Sequence, residues 1–115
     1  MRLRTVWLAL GWAMIGAVAW LSLTPAPLEV DLEQGDKLGH FAAYAALMFW
    51  FSQLYARRLA LAAAFVAMGI GLELAQGALG YRSLDPLDAA ANAAGVAAGW
   101  VLALLLPRAF VARAD

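Results

Sequence analysis

Apolar residues fill four long runs of this chain, at about residues 5–24, 38–56, 59–79 and 87–106, and polar residues collect in the short breaks between them. A membrane-spanning helix needs roughly 20 mainly apolar residues, and each run meets that length. The breaks are sharp. Pro25 and Pro27 open an acidic connection through Glu29, Asp31 and Glu33, Arg57-Arg58 parts the second run from the third, Gly80-Tyr81-Arg82-Ser83 parts the third from the fourth, and Pro107 stops the last. The pattern predicts an all-α, integral membrane four-helix bundle in a single domain over residues 1–115. With almost no loop at Arg57-Arg58, the second and third helices are expected to form a tight hairpin. The opening Met1-Arg2-Leu3-Arg4 has the look of a secretory signal, but the run after it is long for one, and Pro27 follows the one tempting cleavage stretch, Thr24-Pro25-Ala26. We read it as a retained helix.

Composition agrees with a lipid environment: 65% of residues are hydrophobic and 14% charged, against about 25% charged in soluble domains. Eight basic and eight acidic residues cancel, which gives no reason to expect a nucleic-acid partner. The absence of cysteine excludes disulfides and thiolate metal sites. The placement of the basic residues is more telling. Arg2, Arg4, Arg57, Arg58, Arg108 and Arg113 fall on one side of a four-span arrangement, and Lys37 and Arg82 on the other. The positive-inside rule then predicts both termini and the Arg57-Arg58 turn in the cytoplasm, with the acidic connection and the Tyr81–Asp85 loop facing outward.

Small residues recur every fourth position, at Ala91, Gly95 and Gly99 on the fourth helix and at Ala63, Ala67, Gly71 and Ala75 on the third. Such stripes let helix backbones approach closely. They are expected to be contacts inside one bundle, with a homodimer seam as the alternative. Trp7, Trp20, Trp50 and Trp100 lie toward helix ends, where indole sits for interfacial reasons.

The polar residues within the runs are not scattered. Asp36, Lys37, His40 and Tyr44 open the second helix, Glu73 and Gln76 close the third, Arg82 lies in the outer loop, and Asp85, Asp88 and Asn92 open the fourth. Spacings of three and four keep each set on one face of its helix. At 1.5 Å rise per residue, Glu73 and Asn92 lie roughly 9 Å inside the outer helix ends and His40 about 6 Å. Ser52 and Gln53 are all the inner half offers in return. A carboxylate in a membrane costs at least about 2.5–3.5 kcal/mol, so it normally has a partner. Arg82 is the candidate for Glu73, Lys37 for Asp36 or Asp88, and His40 for a hydrogen bond to Glu73 across the hairpin.

Plainer roles compete for several of these. Asp85-Pro86-Leu87-Asp88 has the form of an N-cap, a proline at the first helical position and an acid in the first turn. Asp36, after Gly35, fits a cap as well, and Tyr44 suits a core or interfacial position. Capping does not account for Glu73, because acids are unfavourable near a helix C-terminus.

The ordered set Asp36-Lys37-Leu38-Gly39-His40-Phe41, Glu73 with Gln76, Arg82 with Asp85 and Asp88, and Asn92 with Gly95 resembles the VanZ-like family, over roughly residues 36–99. That resemblance implies a small multispanning bacterial membrane protein of the cell envelope. The family's founding member is linked to low-level resistance to the glycopeptide antibiotic teicoplanin.

Three functions fit the residues. The first is a binding protein for a membrane lipid or lipid-linked cell-wall precursor, with Lys37 and Arg82 pairing with phosphate, Tyr44, Gln76 and Asn92 bonding hydroxyls or amides, and Asp36 and Asp85 lining the same end. The second is an intramembrane hydrolase or transferase on such a molecule, with His40 or Glu73 as general base and Asp88 as partner or metal ligand. One histidine with nearby carboxylates could hold a hard divalent ion, but this is far weaker than a zinc signature, and no cofactor is expected. The third is an accessory subunit of a larger membrane protein partner, in which the polar network fixes helix register. Ion transport is disfavoured because the inner half lacks a polar relay.

Overall fold

The computed structural model describes residues 2–23, 35–79 and 86–106, and these form four α-helices, α1 (Leu3–Leu23), α2 (Gly35–Ser52), α3 (Arg58–Ala78) and α4 (Pro86–Leu105). Three of them, α1, α3 and α4, are long and apolar enough to cross a membrane. The second is shorter, 18 residues or about 27 Å. The predicted run through Ala56 ends early, because the chain turns at Gln53–Leu54 and re-enters a helix at Arg58.

The shorter α2 is the centre of the bundle. It contacts the other three helices and packs most extensively on α4, whereas α1 and α4 do not touch among the described residues. Its side chains Tyr44, Leu47, Met48 and Phe51 supply much of the buried core, joined by Leu54, Ala62, Phe65 and Val96. The tight hairpin expected between α2 and α3 is therefore a short connection but not the main packing pair.

Glycine explains the choice of partner. A Cβ at Gly95 would run into the carbonyl of Phe41, and one at Gly99 into the carbonyl of Ala45. Two bare positions one turn apart thus let α4 lie directly against the backbone of α2. Phe41 beside Gly95 and Ala45 beside Gly99 advance together, so the two helices run parallel. Where lipid tails are as apolar as any side chain, such close contact is a principal source of helix association.

The stripe on α3 behaves otherwise. Ala63, Ala67 and Gly71 are exposed, and a Cβ at Gly71 would meet nothing within 4 Å. The inward face is instead Ala62, Phe65, Gly69 and Gln76. The physical reason is the need to seat two large groups: Phe65 fills the core, and Gly69 makes room for the side chain of Asn92. The expectation of an intrabundle seam thus holds for Gly95 and Gly99 and fails for Ala63, Ala67 and Gly71.

Side chains close the open helix ends. The last carbonyls of a helix lack intrahelical donors, and hydrocarbon offers no water to replace them. Gln76 Nε2 donates to Ser22 O at 2.6 Å, in the last turn of α1. Gln53 Nε2 donates to Leu106 O at 3.0 Å, just past α4, and Arg4 donates to Leu54 O at 3.2 Å.

Candidate functional site

Local sequence places a polar residue from each of three helices near one end of the bundle. Asn92 lies one turn before Gly95 on α4 and points to α3, where a Cβ on Gly69 would stand 2.8 Å from Asn92 Nδ2. Asn92 is 4% exposed. Its Oδ1 is buried and has no hydrogen-bond partner among the described residues. A buried acceptor left open costs about 1–3 kcal/mol, so the amide marks a place where a donor is wanted.

The contact between Gly69 and Asn92 also sets the antiparallel register of α3 and α4. One turn further out on each helix come Glu73 and Asp88, which are therefore level with each other. Asp88 is 4% exposed and Glu73 half-buried. Asp88 falls in the first turn of α4, where the helix dipole favours a negative charge. Its depth of burial exceeds what a solvated cap needs.

Gln76 sits one turn beyond Glu73. It is 5% exposed, and its amide is spent on the Ser22 carbonyl, which gives it a firm structural task. Tyr44, at 1% exposed, belongs to the core of α2. His40 is half-buried, next to Phe41 whose carbonyl faces Gly95. Arg82 and Asp85 lie outside the described residues, as do the side chains of Asp36 and Lys37, whose backbones open α2. Among the described residues no group of three His, Asp or Glu side chains is placed to hold a metal ion.

The structure adds polar residues at the opposite end that periodicity undervalues. Ser52 and Gln53 are wholly buried, and Ser52 Oγ, Gln53 Oε1 and Arg58 Nε have no hydrogen-bond partner among the described residues. Gln53 interrupts an apolar run just before a turn, which is the signal that could have singled it out. The small-residue spacing singles out Gly71, and nothing local shows that Gly69, two residues earlier, is the glycine that faces inward. Between the two polar ends lie Leu47, Met48, Phe51, Phe65 and Val96, an apolar layer with no titratable side chain.

What this arrangement offers chemically is hydrogen bonding and charge, from Asn92, Asp88, Glu73 and His40. No described serine lies among them; Ser22 is met through its carbonyl and Ser52 is at the other end. Comparison with known proteins gives one result: the sequence model of a family described as VanZ/LLP1 matches residues 4–107. No curated protein matches the chain, and no solved structure does.

Proposed function

Because the chain belongs to the VanZ/LLP1 family, we propose that it is a cell-envelope membrane protein that binds a lipid or lipid-linked envelope molecule at the Glu73–Asp88–Asn92 end of its bundle. The observation that carries this reading is the buried, unpartnered Oδ1 of Asn92. It is an acceptor suited to a hydroxyl or amide hydrogen, groups that lipid-linked cell-wall precursors carry in number. Lys37 and Arg82, placed by sequence at the same end, would pair with the phosphate. The basic residues of the other end support a bacterial inner-membrane location, with both termini cytoplasmic and this site in the outer leaflet. Shielding or altering an exposed precursor would be one physical route to glycopeptide resistance.

Lipid analysis of the purified protein tests the proposal. A defined envelope lipid should remain bound to the wild type through mild detergent and be lost from Arg82→Ala and Asn92→Leu. A wild type that carries only bulk membrane lipid, in the same proportions as both variants, would remove the binding function.

One observation favours a second reading. Two carboxylates at one level of the α3–α4 contact, with His40 on the neighbouring helix, have the composition of an acid–base pair. Release of a product from a lipid-linked substrate by purified protein, abolished in Glu73→Gln, would convert the binding site into an active site.

A further inference from the structure

At the end of the bundle opposite Asn92, the turn after α2 and the start of α3 border an open groove of about 660 Å³. It is lined by Arg57, Arg58, Leu59, Ala60 and Ala63 and by Trp100 of α4. This gives a use to one member of the α3 stripe that the bundle leaves uncovered: the small side chain of Ala63 leaves space in the groove that a larger one would take.

Two features of the groove have the same electrostatic sign. Arg57 and Arg58 bring two guanidinium groups, a geometry suited to phosphate oxygens. The Nε of Arg58 is shut off from solvent and has no hydrogen-bond partner among the described residues. Arg57 is the N-cap of α3 and makes no side-chain cap, so the positive end of a 21-residue helix opens toward the same place. Directly below this charged rim the lining becomes apolar, with Leu59, Ala60, Ala63 and the partly buried Trp100. A charged rim above an apolar trough, on the outside of a membrane helix pair, matches a molecule with an anionic head and a hydrocarbon tail.

We propose that this groove is a binding site for one anionic phospholipid, with the head-group phosphate on Arg57, Arg58 and the first turn of α3, and an acyl chain along Ala60, Ala63 and Trp100. Charge complementarity selects this occupant over a zwitterionic lipid, whose ammonium would face the arginines. The positive-inside orientation puts the groove in the cytoplasmic leaflet, across the membrane from the Asn92 site. The proposal is independent of what binds there.

Native mass spectrometry of delipidated protein, with phosphatidylglycerol or phosphatidylcholine added back, tests it. Wild type should take up one phosphatidylglycerol in preference to phosphatidylcholine by about tenfold, from roughly a fivefold factor per arginine less its screening. Arg57→Gln/Arg58→Gln should abolish the preference. Ala63→Leu keeps both charges at an exposed position and fills the trough, and it should lose the bound lipid too. Asn92→Leu, at the opposite end, should bind phosphatidylglycerol as the wild type does. Equal uptake of the two lipids by wild type would overturn the site. So would full retention by Ala63→Leu, which would reduce the effect to general surface charge.

Discussion

Trp7 of α1 and Trp50 of α2 stack face to face, ring centroids 3.7 Å apart and planes 10° from parallel, and each indole donates to the other's backbone carbonyl: Trp7 Nε1 to Trp50 O at 2.9 Å and Trp50 Nε1 to Trp7 O at 2.7 Å. The pair is a reciprocal clasp between two antiparallel helices. One turn along α1, Gly11 allows Phe51 and Trp50 to come close, since a Cβ there would stand 2.8 Å from the Phe51 ring. Arg4 strengthens the same end, donating to Leu54 O and lying 5.6 Å over the Tyr55 ring. The first helix is thereby fixed to α2 by polar contacts to backbone as well as by packing.

Trp7→Phe should therefore destabilise the fold although it preserves an aromatic ring. It removes one of two donors to the Trp50 carbonyl, which keeps the Gln53 backbone N–H at 3.2 Å, for about 0.5–1.5 kcal/mol, and weakens a stack worth about 0.5–1.5 kcal/mol. Thermal unfolding in a mild detergent should show a clearly lower midpoint, and the Trp7→Phe/Trp50→Phe double variant should lose less than the two single losses added. Strict additivity would mean that the two indoles act independently.

Glycines on two helices should respond in opposite ways. Gly95→Ala sets a methyl group against the Phe41 carbonyl, backbone that has no rotamer to move, and overpacking of this kind costs about 1–3 kcal/mol or more. Gly71→Ala enters open space and gains helix propensity of up to about 1 kcal/mol. Paired melting curves would check this, and a destabilised Gly71→Ala would show that the exposed α3 stripe is a contact after all, as in a homodimer.

The two glutamine caps differ in what else their side chains do. Gln76→Leu removes the bond to Ser22 O and should cost about 0.6–1.7 kcal/mol, the range of interhelical hydrogen bonds in membranes. Gln53→Leu removes a similar bond to Leu106 O but also a buried Oε1 that has no partner among the described residues. Relief of that oxygen offsets the loss, so its midpoint should stay close to wild type. Equal destabilisation by both substitutions would mean that Gln53 Oε1 is satisfied in the membrane.

These contacts show how far the sequence could be read. The number of helices and their approximate ends follow from apolar length, since every run has to satisfy its own backbone in hydrocarbon. Their partners do not follow. A stripe of small residues states that something can come close, and α3 and α4 carry equivalent stripes, but Gly95 and Gly99 are buried against another helix while Ala63, Ala67 and Gly71 are exposed. The candidate site is legible in part for the same reason. Spacing places Glu73 with Gln76 and Asp88 with Asn92 on common faces, whereas Gly69, which seats Asn92 and sets the level of the two carboxylates, depends on how α3 is rotated. Position alone makes Trp7 and Trp50 interfacial anchors, because nothing local reveals that each indole has a carbonyl to reach on the other helix.

Gly69→Ala tests the site without breaking the bundle. The added methyl group would stand 2.8 Å from Asn92 Nδ2, the far end of a side chain, and 3.3 Å from its Cβ. Rotation of the amide relieves most of that clash, so stability should fall by no more than about 1–3 kcal/mol. The orientation of Asn92 changes, and retention of the envelope lipid should fall with it. Unchanged retention alongside a displaced Asn92 would take this residue out of the binding site.

Orientation can be measured cleanly because the chain has no native cysteine. Ala56→Cys places a thiol at an exposed position of the turn between α2 and α3, and Ser83→Cys places one in the sequence between α3 and α4. With basic residues concentrated on the Arg57 side, a membrane-impermeant maleimide should label Ser83→Cys in intact cells and reach Ala56→Cys only after the membrane is opened. The reverse result would place Asn92 and the two carboxylates in the cytoplasmic leaflet. A surface-exposed precursor would then be out of reach, and the groove at Arg57 and Arg58 would lie in the outer leaflet.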